Sequence, residues 1–235
     1  MLKAVIFDLD NTLYDFDAAH RVAFGAVRDF ACERLSLTPE RFDALHREAA
    51  EVLKARCGAN SAAIHNRLLR FQVLLERIGR PFSLAPKMAD LYWSKLFDVM
   101  EVFPGAAEAL RALRGMGLKV GVGTNMTAAR QYAKLERMGI MDDVDFIVTS
   151  EEAGAEKPDR RLFDLCAEKA GCPARQCVFV GDSLKSDIGG ALGAGMRAVW
   201  LHPGSDPSDA PEGVLTIRTP DELPDVLKEH YSQGV

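Results

Sequence analysis

The sequence predicts an α/β protein: a parallel β-sheet flanked by helices, with an all-helical segment inserted after the first strand. Three observations lead there. Short apolar runs rich in β-branched residues recur along the chain. Helical patterns lie between those runs from about 104 to 203. The stretch from about 15 to 98 holds helix formers almost throughout and no convincing strand.

The predicted strands are Ala4–Phe7, Val120–Gly123, Phe146–Thr149, Val178–Val180 and Ala198–Leu201. Their apolar character is continuous rather than alternating, as expected of strands covered on both faces in a parallel sheet. Between them, Ala106–Arg114 lines up Ala107, Leu110 and Leu113, and Ala128–Met138 lines up Tyr132, Leu135 and Met138. Arg160–Ala170 and Asp187–Ala194 read as helices stopped by Gly171 and Gly195. Strand–helix alternation of this kind implies right-handed crossovers. In the inserted stretch, Ala18–Leu35, Pro39–Arg56, Ala62–Ile78 and Pro86–Phe97 read as four helices with short connections, a bundle. The expected organisation is therefore a core of 1–14 plus 99–235 and a helical insertion of 15–98.

Composition narrows the function classes. Of the 235 residues, 48% are hydrophobic and 27% charged, which fits a folded chain with an ample core. A net charge of −5 without a long basic run gives no electrostatic support for binding nucleic acid polymers or an anionic membrane. No apolar run approaches the ~18 residues of a membrane span. The N-terminus meets Asp8 without the apolar core of a signal peptide, and the five cysteines are odd in number with no C-x-x-C pair. These point to a cytoplasmic protein with free thiols. Nothing in the sequence bears on its oligomeric state.

The strand ends carry the chemistry. The first runs into Asp8 and Asp10, the second into Thr124 and Asn125, and the fourth into Gly181-Asp182-Ser183. Ligands of open α/β sheets bind outside the carboxyl ends of the strands. Residues two apart on an extended segment point the same way, so Asp8 and Asp10 can face one site, with Asp182 as a third acid. Three converging carboxylates call for a cation, and Mg²⁺ is the usual hard ion beside phosphate. Each acid taken alone is equally at home as a helix N-cap. Lys157, in a loop before a helical pattern, could sit beside a nucleophile and a phosphate, although a lone loop lysine is usually solvated. Pro158 suits the first helical turn. Thr124 and Asn125 could donate hydrogen bonds to phosphate oxygens.

Asp8-Leu9-Asp10-Asn11-Thr12 resembles the DxDxT signature of the haloacid dehalogenase superfamily. Thr124 matches the second motif, Lys157 before Pro158 the third, and Gly181-Asp182-Ser183 with Asp187 the fourth, in family order. The resemblance implies a Rossmann-like core with a helical cap at 15–98. It implies an Mg²⁺-dependent phosphomonoester hydrolase in which Asp8 is the nucleophile and Asp10 the acid and base. Asp8, the main-chain carbonyl of Asp10 and Asp182 would hold the metal, Asp187 would orient its water, and Thr124, Asn125 and Lys157 would clamp the phosphate. Family dehalogenases lack an aspartate at the position of Asp10, so hydrolysis of a phosphate ester is expected over dehalogenation, with phosphomutase and non-catalytic binding modules as further alternatives. Leu13–Asp17, Ser150–Gly154 and His65-Asn66-Arg67 are similar to bacterial pyrimidine nucleotide phosphatases. A small soluble ester is expected, pyrimidine nucleoside monophosphates first and sugar phosphates or phosphoglycolate next. Arg67 and Arg70 are expected to face solvent or to pair with nearby acids rather than to bind substrate, and Tyr92 and Trp93 to lie in the core.

Overall fold

The structure is a computed structural model and describes residues 1–202, 204 and 209–231, so positions 203, 205–208 and 232–235 of the expected core segment lie outside the described residues. The chain divides into two compact units, Met1–Asp15 with Glu101–Val235, and Phe16–Met100.

The first unit is built on a six-stranded sheet. Its strands are β1 (Ala4–Phe7), β2 (Lys119–Thr124), β3 (Phe146–Thr149), β4 (Cys177–Gly181), β5 (Arg197–Leu201) and β6 (Leu215–Ile217), in the order β3-β2-β1-β4-β5-β6. Every neighbouring pair is parallel. The order reverses at β1, where Phe7 stands opposite Val122 on one side and Val180 on the other. That reversal is the position at which open α/β sheets leave a crevice beyond their strand ends. All four residues of β1 and all five of β4 are buried, which accounts for their continuous apolar sequence. One layer of core packs Ile6, Val148, Leu162, Phe163, Cys166, Phe179 and Trp200 together. Phe163 meets Phe179 edge to face at 5.0 Å.

In the second unit, α1 (Phe16–Leu35), α2 (Pro39–Cys57), α3 (Arg67–Arg77) and α4 (Leu84–Val99) make the helical segment. Helix α1 buries Ala19, Ala23, Val27, Ala31 and Leu35 at four-residue spacing, a narrow stripe that lets α4 approach closely. Tyr92 and Trp93 of α4 are buried, as expected of core residues. The expected single helix over Ala62–Ile78 is instead two pieces. A 3₁₀ turn, Ala62–His65, is capped by Ser61, and α3 starts afresh where the Asn66 side chain accepts from Leu69 N at 3.2 Å. Asparagine satisfies an orphan amide at such a start, so the sequence carried a cap inside what periodicity alone joined. Arg67, expected to face solvent or to pair with a nearby acid, is buried at 6% exposure and donates to His65 O and the Tyr92 hydroxyl instead.

Back in the first unit, the remaining helices are α5 (Ala106–Gly115), α6 (Ala128–Met138), α7 (Ser150–Ala153), α8 (Arg160–Ala170), α9 (Gly189–Gly193) and α10 (Leu223–Tyr231). Helix α8 ends on Gly171 at φ 71°, a left-handed stop that glycine takes without strain. Pro158 lies outside α8, which begins only after Asp159 caps Arg161 N at 3.0 Å. The expected helix Asp187–Ala194 begins earlier, with a wide π turn over Leu184–Ile188 in which Ile188 N donates to Ser183 O at 3.1 Å. Strand β6 and helix α10 have no counterpart in the expected elements, because a three-residue edge strand leaves almost no periodic signal. No helix among the described residues is long and apolar enough to cross a membrane.

Candidate active site

Asp8 follows the last residue of β1, where its backbone N–H donates to Val180 O at 2.8 Å and so continues the strand by one residue. Its carboxylate is nearly buried and meets the Lys157 ammonium at 2.6 Å. The same ammonium reaches Asp187 at 2.7 Å and lies 5.3 Å over the Phe179 ring. Lys157 therefore bridges the acid after β1 and the acid in the π turn after β4. Its loop is fixed independently, since Lys157 N donates to the Asn125 side-chain oxygen at 2.8 Å.

Asp187 is placed by the wide turn and by a glycine. Ser183 N donates to Asp187 Oδ2 at 3.0 Å. At Gly181, a Cβ would come within 2.5 Å of the Asp187 side chain, so any other residue at the end of β4 would displace that carboxylate. Asp182 is partly exposed and its carbonyl accepts the Trp200 indole N–H at 2.8 Å. Asp8, Asp182 and Asp187 each bring one carboxylate oxygen within 4.8 Å of the others. Burial, followed by the opposing pull of Lys157 and the push of the Asp187 and Asp10 charges, leaves the Asp8 carboxyl at about 7. For Lys157, burial works against the ammonium, but Asp187 and Asp8 outweigh it and hold the group above the ordinary lysine value. Three crowded carboxylates against one ammonium leave an excess of negative charge in a buried place. An all-oxygen donor set of that kind fits a hard divalent cation such as Mg²⁺.

The carboxylate of Asp10, whose charge acts on Asp8, pairs with a different lysine. The chain turns at Asn11, with φ 61°, and Asp10 makes its contacts elsewhere. Both its oxygens meet the Lys134 ammonium, at 2.6 and 2.9 Å, and the Tyr14 hydroxyl donates to Oδ1 at 2.7 Å. Lys134 is completely buried and lies 5.6 Å over the Tyr14 ring. On the same helix, Gln131 donates to Thr124 Oγ1 at 2.6 Å and to Asn125 O at 2.7 Å. Sequence reasoning missed both Lys134 and Gln131, because it took the buried face of α6 to be Tyr132, Leu135 and Met138. Tyr132 is instead 47% exposed.

The acidic loop after β3 supports this helix. Glu151 accepts from Ala128 N at the start of α6 at 2.8 Å, a carboxylate at the positive end of a helix. Ser150 is buried and accepts from Met126 N at 2.8 Å. Thus Thr124, Asn125, Lys157, Asp8 and Asp187 are joined through one another, and Asp10 is joined to α6.

Comparison with known proteins identifies the family. A model of the haloacid dehalogenase-like hydrolase family matches residues 2–195. The chain is 36% identical to a ribulose-1,5-bisphosphate 5-phosphatase of Halopiger xanaduensis, over 97% of this chain and 98% of that one. It is 31% identical to the pyrimidine 5′-nucleotidase YjjG of Escherichia coli, over 96% and 98%. The crystal structure of a 2-haloacid dehalogenase from Pseudomonas syringae superposes with a TM-score of 0.77 at 28% identity, covering 97% of this chain and 99% of that one. The chain belongs to the haloacid dehalogenase-like hydrolase family.

Proposed function

We propose that the protein hydrolyses small soluble phosphate monoesters through a phosphoryl group carried on Asp8. The enzyme is a phosphatase of the haloacid dehalogenase family, and its relatives with 36% and 31% identity are both named as phosphate-releasing enzymes. The observation that carries the reading is Lys157, a buried ammonium held between Asp8 and Asp187 at 2.6 and 2.7 Å, with Asp10 fixed separately by Lys134 and Tyr14.

Asp8 attacks phosphorus and the bond from phosphorus to the ester oxygen breaks. Asp10 gives its proton to the departing alkoxide. Water then attacks the phosphorus of the aspartyl-phosphate, Asp10 takes the proton, and the Asp8 carboxylate is regenerated as phosphate leaves. Lys157, Thr124 and Asn125 bind the phosphate oxygens. When bound, Mg²⁺ supplies charge neutralisation for the phosphoryl oxygens; Asp8, Asp182 and the main-chain carbonyl of Asp10 would hold it, with Asp187 beside them.

Two substrate classes stand level. The nucleotide expectation rested on Leu13–Asp17 and Ser150–Gly154. Several of those residues have structural tasks: Ser150 and Glu151 support α6, and Phe16 stacks on His20 at 5.5 Å. Relatives include enzymes named for ribulose 1,5-bisphosphate and glyceraldehyde 3-phosphate as well as the nucleotidase. The test is Mg²⁺-dependent phosphate release from pyrimidine and purine monophosphates, pentose and triose phosphates and phosphoglycolate, compared by kcat/KM. Turnover of at least one class, abolished in Asp8→Asn, supports the reading. Release of halide from a 2-haloacid with no phosphate release from any ester would overturn it.

A further inference from the structure

Helix α6 buries residues that packing alone does not call for. Its buried positions are Gln131, Lys134 and Leu135, two of them polar. Lys134 holds Asp10. Gln131, completely buried, turns its amide nitrogen to Thr124 Oγ1 at 2.6 Å and to Asn125 O at 2.7 Å. The second contact fixes which end of the amide is which: a main-chain carbonyl only accepts, so the atom facing it is the nitrogen. The other end, Oε1, is buried with no hydrogen-bond partner among the described residues. An unsatisfied buried acceptor costs stability that a leucine or methionine would not, so the reason for a glutamine here lies in what its nitrogen does.

That nitrogen decides which way the Thr124 hydroxyl faces. A hydroxyl has one hydrogen to give and lone pairs with which to accept. Gln131 fills a lone pair of Thr124, which leaves the hydrogen to be given. Inside the fold its acceptor is Asn125 O, at a long 3.3 Å, and Gln131 already occupies that carbonyl at 2.7 Å. Both bonds of Gln131 therefore act in one direction: the Thr124 oxygen accepts from the protein, and its hydrogen is held only weakly there. Without Gln131, Asn125 O takes the hydrogen and the hydroxyl turns lone pairs toward any oxyanion beside it. Phosphate oxygens are anionic acceptors, so a hydroxyl turned that way repels them. A purely structural role would run by another route, since the Asn125 side chain also anchors Lys157 N at 2.8 Å.

We infer that Gln131 is a positioning residue of the phosphate site, holding the Thr124 hydroxyl as a donor so that its hydrogen goes to a phosphate oxygen. The inference rests on the reading above in which Thr124 binds phosphate. Gln131 itself touches no substrate. Its effect passes through Thr124 Oγ1 and disappears with that oxygen, which separates it from a glutamine that merely supports the loop through Asn125.

The test is a double-variant cycle with Thr124→Val, which keeps the branched shape and removes the hydroxyl. Calorimetric titration with inorganic phosphate in the presence of Mg²⁺, against chloride at matched ionic strength, reads the site without turnover. The ratio kcat/KM on a hydrolysed ester reads it in the reaction. Gln131→Met, unbranched and of similar length, should weaken phosphate binding and lower kcat/KM by about tenfold or more in the wild-type background. In the Thr124→Val background the same change should cost less than about threefold. Equal losses in both backgrounds overturn the inference, since Gln131 then acts through Asn125 and the Lys157 loop. Gln131→Glu keeps the shape but reverses the bond, because a carboxylate accepts the Thr124 hydrogen. Phosphate affinity within about threefold of wild type in that variant overturns the inference even where Gln131→Met fails to fold. Wild-type affinity in Thr124→Val overturns it with no change at Gln131, and so does wild-type protein that binds phosphate no better than chloride. If esters are hydrolysed and the cycle shows equal losses, the phosphatase reading stands and the inference falls. If no ester is hydrolysed at all, the phosphatase reading fails and the titration still decides the role of Gln131.

Discussion

Replacing Lys134 by Met should destabilise the sheet-containing unit by about 2 kcal/mol. The substitution keeps an unbranched side chain in a fully buried place and removes the ammonium that both Asp10 oxygens contact at 2.6 and 2.9 Å. Removing one partner from a sealed ion pair costs ~3–5 kcal/mol. Asp10, however, keeps 23% of its side chain exposed and retains the Tyr14 hydroxyl at 2.7 Å. Water and Tyr14 therefore take up part of the stranded charge, which brings the cost down to the ~1.5–3 kcal/mol of a lost charged hydrogen bond. With a urea slope of ~2.5 kcal/mol per molar, the midpoint should fall by about 0.8 M. The chain has two tryptophans, so a Trp93→Phe background lets Trp200 fluorescence report the sheet-containing unit alone. Adding Asp10→Asn to Lys134→Met should recover about 1 kcal/mol, because the uncompensated carboxylate is gone, a coupling within the ~0.5–3 kcal/mol seen for residues in contact. Lys134→Met should also lower kcat at least tenfold through the misplaced Asp10. A Lys134→Met protein within ~0.5 kcal/mol of wild type, or no recovery in the double variant, would refute the reasoning.

Three further outcomes are expected. Asp8→Asn should fold normally and keep less than about a hundredth of the wild-type rate, measured as phosphate release, because the amide lacks the nucleophilic oxygen. Excess chelator should silence the enzyme and Mg²⁺ restore it, and Asp182→Asn should raise the Mg²⁺ concentration needed for half-maximal rate at least tenfold, read from a metal titration. His46 is lowered to about 3 by burial and then by Arg70 and Arg67, so below pH 6.5 the unfolded chain takes up a proton that the folded one refuses. Stability on its account falls with falling pH, by at most ~1.4 kcal/mol per unit and less after solvent screening of this half-buried ring. Asp8, raised to about 7, acts in the opposite direction between pH 7 and 4. The informative quantity is therefore the difference between wild type and His46→Leu, which should narrow in favour of the variant from pH 7 to pH 5 in urea titrations.

The sheet was legible because strands buried on both faces must be apolar throughout, and the residues that interrupt those runs at their ends are the ones that chemistry uses. Asp8, Thr124 and Asp182 were visible for that reason. Asp187 and Lys157 were visible through their motif spacing, but their meeting across one ammonium depends on a π turn and a glycine that spacing does not describe. Lys134 was hidden altogether. A lysine on a helix reads as solvated, and its partner Asp10 lies 124 positions away in the chain. Arg67 was misread for the same reason: a charged residue at a helix start has no visible cost until the fold buries it.

The central claim is that phosphorus passes through Asp8 and is then taken by water, so the decisive measurement is the stereochemical course of hydrolysis. A phosphorothioate ester made chiral with oxygen isotopes, hydrolysed in isotopically labelled water with Mg²⁺, distinguishes one in-line displacement from two. Attack by Asp8 followed by attack of water inverts phosphorus twice, and the account predicts net retention. Net inversion would mean that water attacks the ester directly, and would contradict it.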